Sequence, residues 1–136
     1  MLKKNFSTKI SNKEIRLYTL TNSNGVKVEI TNFGGKAVSI RVPDKHGIFE
    51  DIVLGYDNIG DYISGNPYFG AIIGRYANRI SQGKCTIDGK EYQFVRNIGD
   101  NHLHGGTKGF NAVVWDAKQV NINGNQSLEL CYIVFA

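Results

Sequence analysis

The chain has 136 residues, of which 41% are hydrophobic, and it carries a formal net charge of +4 at pH 7. This length suits a single domain with a core of its own. The charge forms no basic stripe interleaved with aromatic residues, and no apolar run suits a signal peptide or a membrane span. We therefore expect no nucleic-acid partner and no membrane partner. Cys85 and Cys131 allow one disulfide at most, so the cytoplasm is the expected location.

The first half of the chain predicts a series of short strands. Residues 15–21 and 26–32 flank Asn24-Gly25, a pair that tolerates positive φ and is typical of hairpin turns. Alternating apolar residues then predict a strand that ends at Pro43, and a turn leads to a further strand at residues 52–54. Residues 56–64 lack such alternation and predict one short helical turn. The apolar run 67–74 predicts a fully buried segment.

The second half of the chain repeats the hairpin signal. Residues 84–87 and 90–97 flank Asp88-Gly89, and residues 112–120 and 127–134 flank Asn123-Gly124. The 16 glycines suit many tight turns, and no window shows a sustained helical period. The sequence therefore predicts one all-β domain, an antiparallel β-sandwich.

Polar residues follow directly after the predicted buried run. Asn78 and Arg79 stand at this point, where an arginine has to be paired or face a polar site. Its planar fork of donors suits adjacent hydroxyl groups or a carboxylate. The alternative is a structural ion pair with one of the twelve acidic residues of the chain, and spacing alone favours neither.

Residues 101–110 contain two of the three histidines of the chain. Alternation places His102 and His104 on one side of an extended segment, and the two glycines that follow allow a sharp turn. Histidines in this position can exchange hydrogen bonds with a ligand that carries many hydroxyl groups. The alternatives are a half-exposed loop, and a metal pair for which no third ligand has suitable spacing. Phe110 and Trp115 are expected to pack in the core rather than to stack on a ligand.

The last six residues, 131–136, are almost purely apolar and contain no turn or charge. A strand of this kind leaves a hydrophobic edge unpaired, which natural proteins usually avoid. We therefore expect residues 1–136 to be an incomplete part of a longer sandwich domain. We also expect residues 128–135 to promote self-association. The alternative is a genuine buried C-terminal strand.

Three stretches carry longer motifs. Residues 32–35 read Asn-Phe-Gly-Gly, residues 66–70 and 74–80 read Asn-Pro-Tyr-Phe-Gly and Gly-Arg-Tyr-Ala-Asn-Arg-Ile, and residues 101–106 read Asn-His-Leu-His-Gly-Gly. In this order they resemble the aldose 1-epimerases, or galactose mutarotases. The first is similar to that family's early turn, the second to its central signature, and the third to its Asn-x-Leu-His-Gly-Gly segment.

The resemblance implies a galactose mutarotase-like supersandwich that interconverts the α and β anomers of free aldoses such as galactose and glucose. It assigns sugar contacts to Asn78 and Arg79, and to His104 a hydrogen bond near the ring oxygen of the sugar. We expect these three side chains to meet at one concave patch. His102 inherits no role, and Arg75 is expected to be structural. A hexose is the expected ligand, and neither a metal nor an organic cofactor is required.

The resemblance also implies that two proton-transfer groups are missing. The family's acid is a second histidine on a later strand, and its base is a glutamate near the C-terminus of a chain more than twice this length. We therefore expect residues 1–136 alone to be inactive. Two alternatives stay open. A non-catalytic carbohydrate-binding β-sandwich would need only the same sugar contacts. An epimerase of sugar phosphates should have extra arginines around the pocket, whereas the sequence has only Arg75, Arg79 and Arg96 nearby.

Overall fold

The computed structural model describes residues 3–65 and 68–134, and these form an antiparallel all-β fold with little helix, as the sequence predicts. Two residues of the central motif, Asn66 and Pro67, lie outside the described residues, as do Phe135 and Ala136. Within the described ranges, no helix has both the length and the apolar character needed to cross a bilayer. The helical elements are α1 (Ile59–Ser64) and 3₁₀ turns at Lys3–Phe6, Ser81–Gly83 and Phe110–Ala112. The strands are β1 (Thr8–Ile10), β2 (Lys13–Ile15), β3 (Leu17–Thr21), β4 (Lys27–Thr31), β5 (Lys36–Pro43), β6 (Phe49–Asp51), β7 (Arg79–Ile80), β8 (Lys84–Ile87), β9 (Lys90–Gln93), β10 (His102–Leu103), β11 (Asp116–Ile122) and β12 (Asn125–Cys131).

The main sheet has four strands in the order β3-β4-β5-β6, and the β11–β12 hairpin lies beside its β3 edge. Two glutamines connect the hairpin to that edge. Gln126 Oε1 accepts a hydrogen bond from the backbone N–H of Thr21 at 3.0 Å, and Gln119 Nε2 donates to the carbonyl of Thr19 at 3.0 Å. These side chains occupy backbone groups that an open sheet edge would expose.

All three predicted hairpins are confirmed. β3 pairs with β4 around Asn24-Gly25, β8 with β9 around Asp88-Gly89, and β11 with β12 around Asn123-Gly124. At Asn123 and Gly124 the φ angles are 51° and 83°, which is the backbone that matches the twist of the flanking strands. The short helical turn expected within residues 56–64 is α1.

The strand predicted at residues 52–54 is wrong, because β5 pairs with the three residues before it. Asp51 ends the ladder. Its Oδ1 accepts hydrogen bonds from the backbone N–H groups of Ile40 at 3.0 Å and of Val53 at 3.2 Å. The chain bends away from the sheet at this point, and Ile52 and Leu54 are consequently 64% and 73% exposed.

The apolar run 67–74 is not the fully buried segment that we predicted. Its described part is an irregular connection, mostly half-buried, in which only Gly74 is buried. The segment turns at Gly70, whose φ is 61° and whose carbonyl accepts a hydrogen bond from the backbone N–H of Ala37 at 2.9 Å. Because the segment turns here instead of pairing as a strand, most of its described residues remain partly exposed.

The hydrophobic core lies between the main sheet, α1 and the Asn-Phe-Gly-Gly turn at residues 32–35. It brings this turn against helix and sheet, and so fixes the start of β5. Its buried members are Phe6, Ile15, Leu17, Phe33, Val38, Ile59, Tyr62 and Val114.

Asn32, the first residue of this turn, connects three separate segments although it is only 4% exposed. Its Oδ1 accepts a hydrogen bond from the backbone N–H of Arg16 at 2.8 Å. Its Nδ2 donates to the carbonyl groups of Glu14 at 2.9 Å and Trp115 at 3.0 Å. All three partners are backbone groups, so the asparagine completes hydrogen bonds that no regular ladder supplies.

Replacing Asn32 by alanine should lower the free energy of unfolding by about 3 kcal/mol, because backbone groups at a mostly buried position lose their partners. Urea denaturation measures the change. Asn121→Ala is the matched control, since Asn121 lies exposed on β11, and its effect should stay within about 0.5 kcal/mol. Equal losses in the two variants would contradict the bridging role of Asn32.

Candidate functional site

Two of the sequence motifs meet where β7 pairs with β10. In this antiparallel pair Arg79 lies opposite Leu103, and Ile80 lies opposite His102. The pairing extends beyond the strands, because the backbone N–H of His104 donates to the carbonyl of Asn78 at 3.1 Å. The end of the central motif therefore lies directly beside the His-Gly-Gly turn.

A second hydrogen bond fixes Asn78 to His104. The backbone N–H of Asn78 donates to His104 Nδ1 at 3.0 Å. Both residues have left-handed backbone, with φ of 58° and 51°, a region that asparagine and histidine enter more readily than most residues. Because Nδ1 is the acceptor, the neutral imidazole carries its proton on Nε2. His104 thus presents an Nε2–H donor, which has no hydrogen-bond partner among residues 3–65 and 68–134.

Tyr68 holds the His104 ring from the side. The two ring centroids are 4.7 Å apart and the rings meet edge to face. The chain then turns at Gly105 and Gly106, whose φ angles are 90° and 87°, and the Gly106 N–H donates to the carbonyl of Leu103 at 2.9 Å. Sequence reasoning gave Tyr68 no role. Its place inside the central motif was the one available signal.

Arg79 is exposed next to Asn78. Its Nη1 donates to Asn78 Oδ1 at 3.4 Å, which is a long hydrogen bond. Arg79 does not form the structural ion pair that was the alternative, because no acidic side chain in the described part of the chain pairs with it. Asn78 therefore contacts His104 through its backbone and Arg79 through its side chain, and it joins the three into one surface patch.

His102 does not share the position of His104, and the prediction that alternation puts both on one side is wrong. The left-handed backbone at His104 ends the extended segment. His102 is 2% exposed, lies against Phe94 with ring centroids 5.3 Å apart, and hydrogen-bonds the carbonyl of Val95 through Nδ1 at 2.9 Å. The described residues contain no group of three or more histidine, cysteine or acidic side chains that could hold a metal ion.

Two cavities flank the patch, and Asn78, Arg79 and His104 line neither. One, of about 290 Å³, lies on the Tyr68 side, and the other, of about 340 Å³, lies on the His102 side. The arginines expected of a sugar-phosphate epimerase do not gather at one cavity. Arg75 lines the second, whereas Arg96 faces the carboxylate of Asp100 at 3.8 Å.

Phe110 and Trp115 pack against each other. Trp115 is buried as predicted, whereas Phe110 is only half-buried and lines the second cavity. Their ring centroids are 5.3 Å apart, Trp115 is 9% exposed, and its Nε1 donates to the carbonyl of Phe110 at 3.2 Å. Sequence reasoning missed Lys36, which lines the first cavity. A signal existed, because strand alternation places Lys36 on the same face as the buried Val38.

Comparisons with known proteins agree with this architecture. The sequence profile of the family described as aldose 1-epimerase matches residues 16–135. The crystal structure of galactose 1-epimerase from Lactobacillus acidophilus superposes with a TM-score of 0.77 at 28% identity, and covers 90% of this chain and 35% of that one. The aldose epimerase homologue from C. elegans gives a TM-score of 0.70 at 31% identity, with 79% and 33% covered. The chain thus has the antiparallel β-sandwich of the galactose epimerases.

Sequence relatives define the family. The chain is 46% identical over 93 residues to galactose mutarotase of Bos taurus, which covers 68% of this chain and 27% of that protein. It is 37% identical over 113 residues to aldose 1-epimerase of Escherichia coli, with 83% and 32% covered. This chain belongs to the aldose 1-epimerase family. It spans about a quarter to a third of the length of the relatives it matches.

Proposed function

We propose that Asn78, Arg79 and His104 are the sugar contacts of an aldose 1-epimerase that interconverts the anomers of free aldoses such as galactose and glucose. The paired hydrogen bonds between Asn78 and His104 carry this proposal. They orient His104 so that its Nε2–H meets no acceptor among the described residues, while Arg79 beside them keeps its guanidinium exposed. Donors of this kind suit the hydroxyl groups of a hexose.

The chemistry of mutarotation gives each residue a task. A base removes the proton of the C1 hydroxyl while an acid protonates the ring oxygen, the ring opens, and it closes again on the other face of C1. Each proton transfer contributes about 10²–10⁴-fold to the rate. In this scheme His104 Nε2–H donates near the ring oxygen, and Arg79 holds hydroxyl groups so that both transfers are in line.

In the relatives, the acid and the base would lie outside the segment that this chain matches. Family resemblance makes them a histidine and a glutamate. Residues 1–136 are then one part of a larger sandwich domain, a proposal that the partial coverage of the relatives supports. Both chemical steps are proton transfers, so the scheme uses no cofactor.

We also propose that the chain is located in the cytoplasm and that its copies associate with one another. Cys85 and Cys131 are both free thiols, which supports a reducing compartment such as the cytoplasm. Beyond β12, Ile133 and Val134 are 67% and 44% exposed. Apolar side chains beside the last hairpin support association between copies of the chain through residues 128–134.

Sugar binding tests the proposed contacts. Titration of the ¹⁵N-labelled chain with galactose should shift the amide signals of Asn78 and His104 in NMR spectra. Arg79→Lys should weaken binding about tenfold or more, because an ammonium cannot replace a planar two-pronged donor. His104→Asn should do the same, since it tolerates the left-handed backbone but lacks the ring Nε2.

Arg75→Lys is the matched control, because Arg75 is also exposed but lines the cavity on the other side. Its galactose affinity should equal that of the unchanged chain. Galactose affinities that stay the same in Arg79→Lys and His104→Asn, with unchanged circular dichroism, would overturn the proposed contacts.

A further inference from the structure

The cavity on the Tyr68 side contains an unusual charge. It has a volume of about 290 Å³, close to the lower end of pockets that hold small molecules. Among the described residues that line it, Lys36 is the single charged side chain. The cavity borders the proposed sugar site, because the Tyr68 ring that lines it also packs against His104.

Lys36 is buried without a counter-ion. It is 3% exposed, and no hydrogen bond or ion pair to its Nζ is formed within residues 3–65 and 68–134. Its ammonium group lies over the ring of Phe33 at 4.5 Å and over the ring of Tyr62 at 5.3 Å. Two ring faces offset part of the desolvation cost. The rings accept no conventional hydrogen bond, so the N–H donors of the ammonium have no partner among the described residues and can bind a ligand in the cavity.

Burial also weakens the basicity of Lys36. Burial lowers the pKa of Lys36 from 10.5 to about 8. The titratable side chains that line this cavity besides Lys36 are Tyr62 and Tyr68, and burial raises the pKa of Tyr62. No carboxylate among the described lining residues favours the charged lysine. An anion that entered the cavity would supply the negative charge that the described lining residues lack.

Further donors line the same cavity. The side chains of Thr107 and Asn111 form no hydrogen bond with the described residues. The Asn97 amide is already engaged, since it donates to the carbonyl of Leu103 at 2.9 Å and accepts from its N–H at 2.7 Å. Thr107 and Asn111 can therefore direct donors toward the ligand that Lys36 attracts.

We propose that this cavity is an anion-binding subsite that takes a carboxylate or phosphate group, with Lys36 as its counter-charge. The group is either a free anion or the substituent of an acidic or phosphorylated sugar. In the second case the inference rests on the proposed function, because the sugar ring would lie on the Asn78–Arg79–His104 patch. No arginine is among the described residues that line this cavity.

Two probes distinguish these sources. Inorganic phosphate and galacturonate should each bind, and each should raise the NMR titration midpoint of the Lys36 side chain above about 8. Phosphate binding as tight as galacturonate binding identifies a free-anion site, whereas about tenfold tighter galacturonate identifies a sugar-borne group. Affinity for either probe should fall as the pH rises through the midpoint, because the ammonium loses its charge.

Lys36→Met should weaken phosphate binding about tenfold or more. Methionine keeps the length of the side chain and removes a buried charge, so the fold should persist. Lys118→Met, on the exposed face of β11, is the control and should bind phosphate normally. In the unchanged chain the stability should rise between about pH 8 and 10.5, where the unfolded state binds more protons at Lys36, and this rise should vanish in Lys36→Met.

Arg79→Lys separates this inference from the proposed function. That variant should lose galactose affinity and keep phosphate affinity, because Arg79 does not line the cavity. Phosphate affinity that is unchanged in Lys36→Met would overturn the subsite. Equal affinities for neutral galactose and galacturonate, together with no effect of phosphate on the Lys36 midpoint, would overturn it as well.

Discussion

The free energy of unfolding should fall by about 4 kcal/mol, or folding should fail, when Gly105 is replaced by alanine. Gly105 has a φ of 90°, which L-residues rarely adopt. A Cβ at this position would overlap the carbonyl group of Gly74. That carbonyl is fixed in place, since it accepts a hydrogen bond from the backbone N–H of Phe110 at 3.0 Å. Neither side of the contact can move without loss, and chemical denaturation measures the effect.

Gly124→Ala is the matched control for this substitution. Gly124 has a similar φ of 83°, but nothing lies within 4 Å of the position that its Cβ would take. It therefore bears the backbone strain alone, about 1 kcal/mol. Equal losses in the two variants would show that close approach to Gly74 does not constrain Gly105.

Polarimetry should show no acceleration of galactose mutarotation by the 136-residue chain alone. The proposed contacts Asn78, Arg79 and His104 would orient a hexose, but orientation alone leaves both proton transfers to water. Without acid and base, the rate should be lower by roughly 10⁴-fold or more than in a family member that contains them, since residues acting as a unit are not additive. The measurement follows the optical rotation of freshly dissolved α-galactose.

A chimaera provides the positive control. In it this chain replaces the segment of Escherichia coli aldose 1-epimerase that it matches. The chimaera should accelerate the change in rotation, and His104→Asn in the chimaera should lower kcat by roughly 10²-fold. A 136-residue chain as active as the chimaera would contradict the prediction. A folded chimaera that binds galactose without turning it over would favour a carbohydrate-binding module.

Local sequence signals were sufficient for the hairpins. Asn-Gly and Asp-Gly pairs determine their own turn geometry, so three hairpins followed from dipeptides. The proximity of Asn78 and His104 came from motif resemblance, because they are 26 residues apart and no local pattern brings them together.

The remaining features depend on long-range contacts that no window of sequence contains. Asp51 ends a strand by hydrogen-bonding Ile40 across the sheet, which hydrophobic periodicity does not reveal. The environments of His102 and His104 differ because the φ angle of His104 is positive, which ends the extended segment. Strand alternation places Lys36 on the face of the buried Val38, but it does not reveal that the rings of Phe33 and Tyr62 cover the ammonium group.

The left-handed backbone of Asn78 and His104 also limits which sequences can occupy these positions. Branched and bulky side chains are strained at φ near 58° and 51°, whereas glycine, asparagine, aspartate and histidine enter this region more readily. A saturation library at either position, selected for folding alone, would be narrowed to those few residues before any sugar is offered. A homologue that had lost the proposed sugar binding would therefore still be restricted to the same few residue types at both positions. Its loss of function would appear as conservative substitution rather than as random variation.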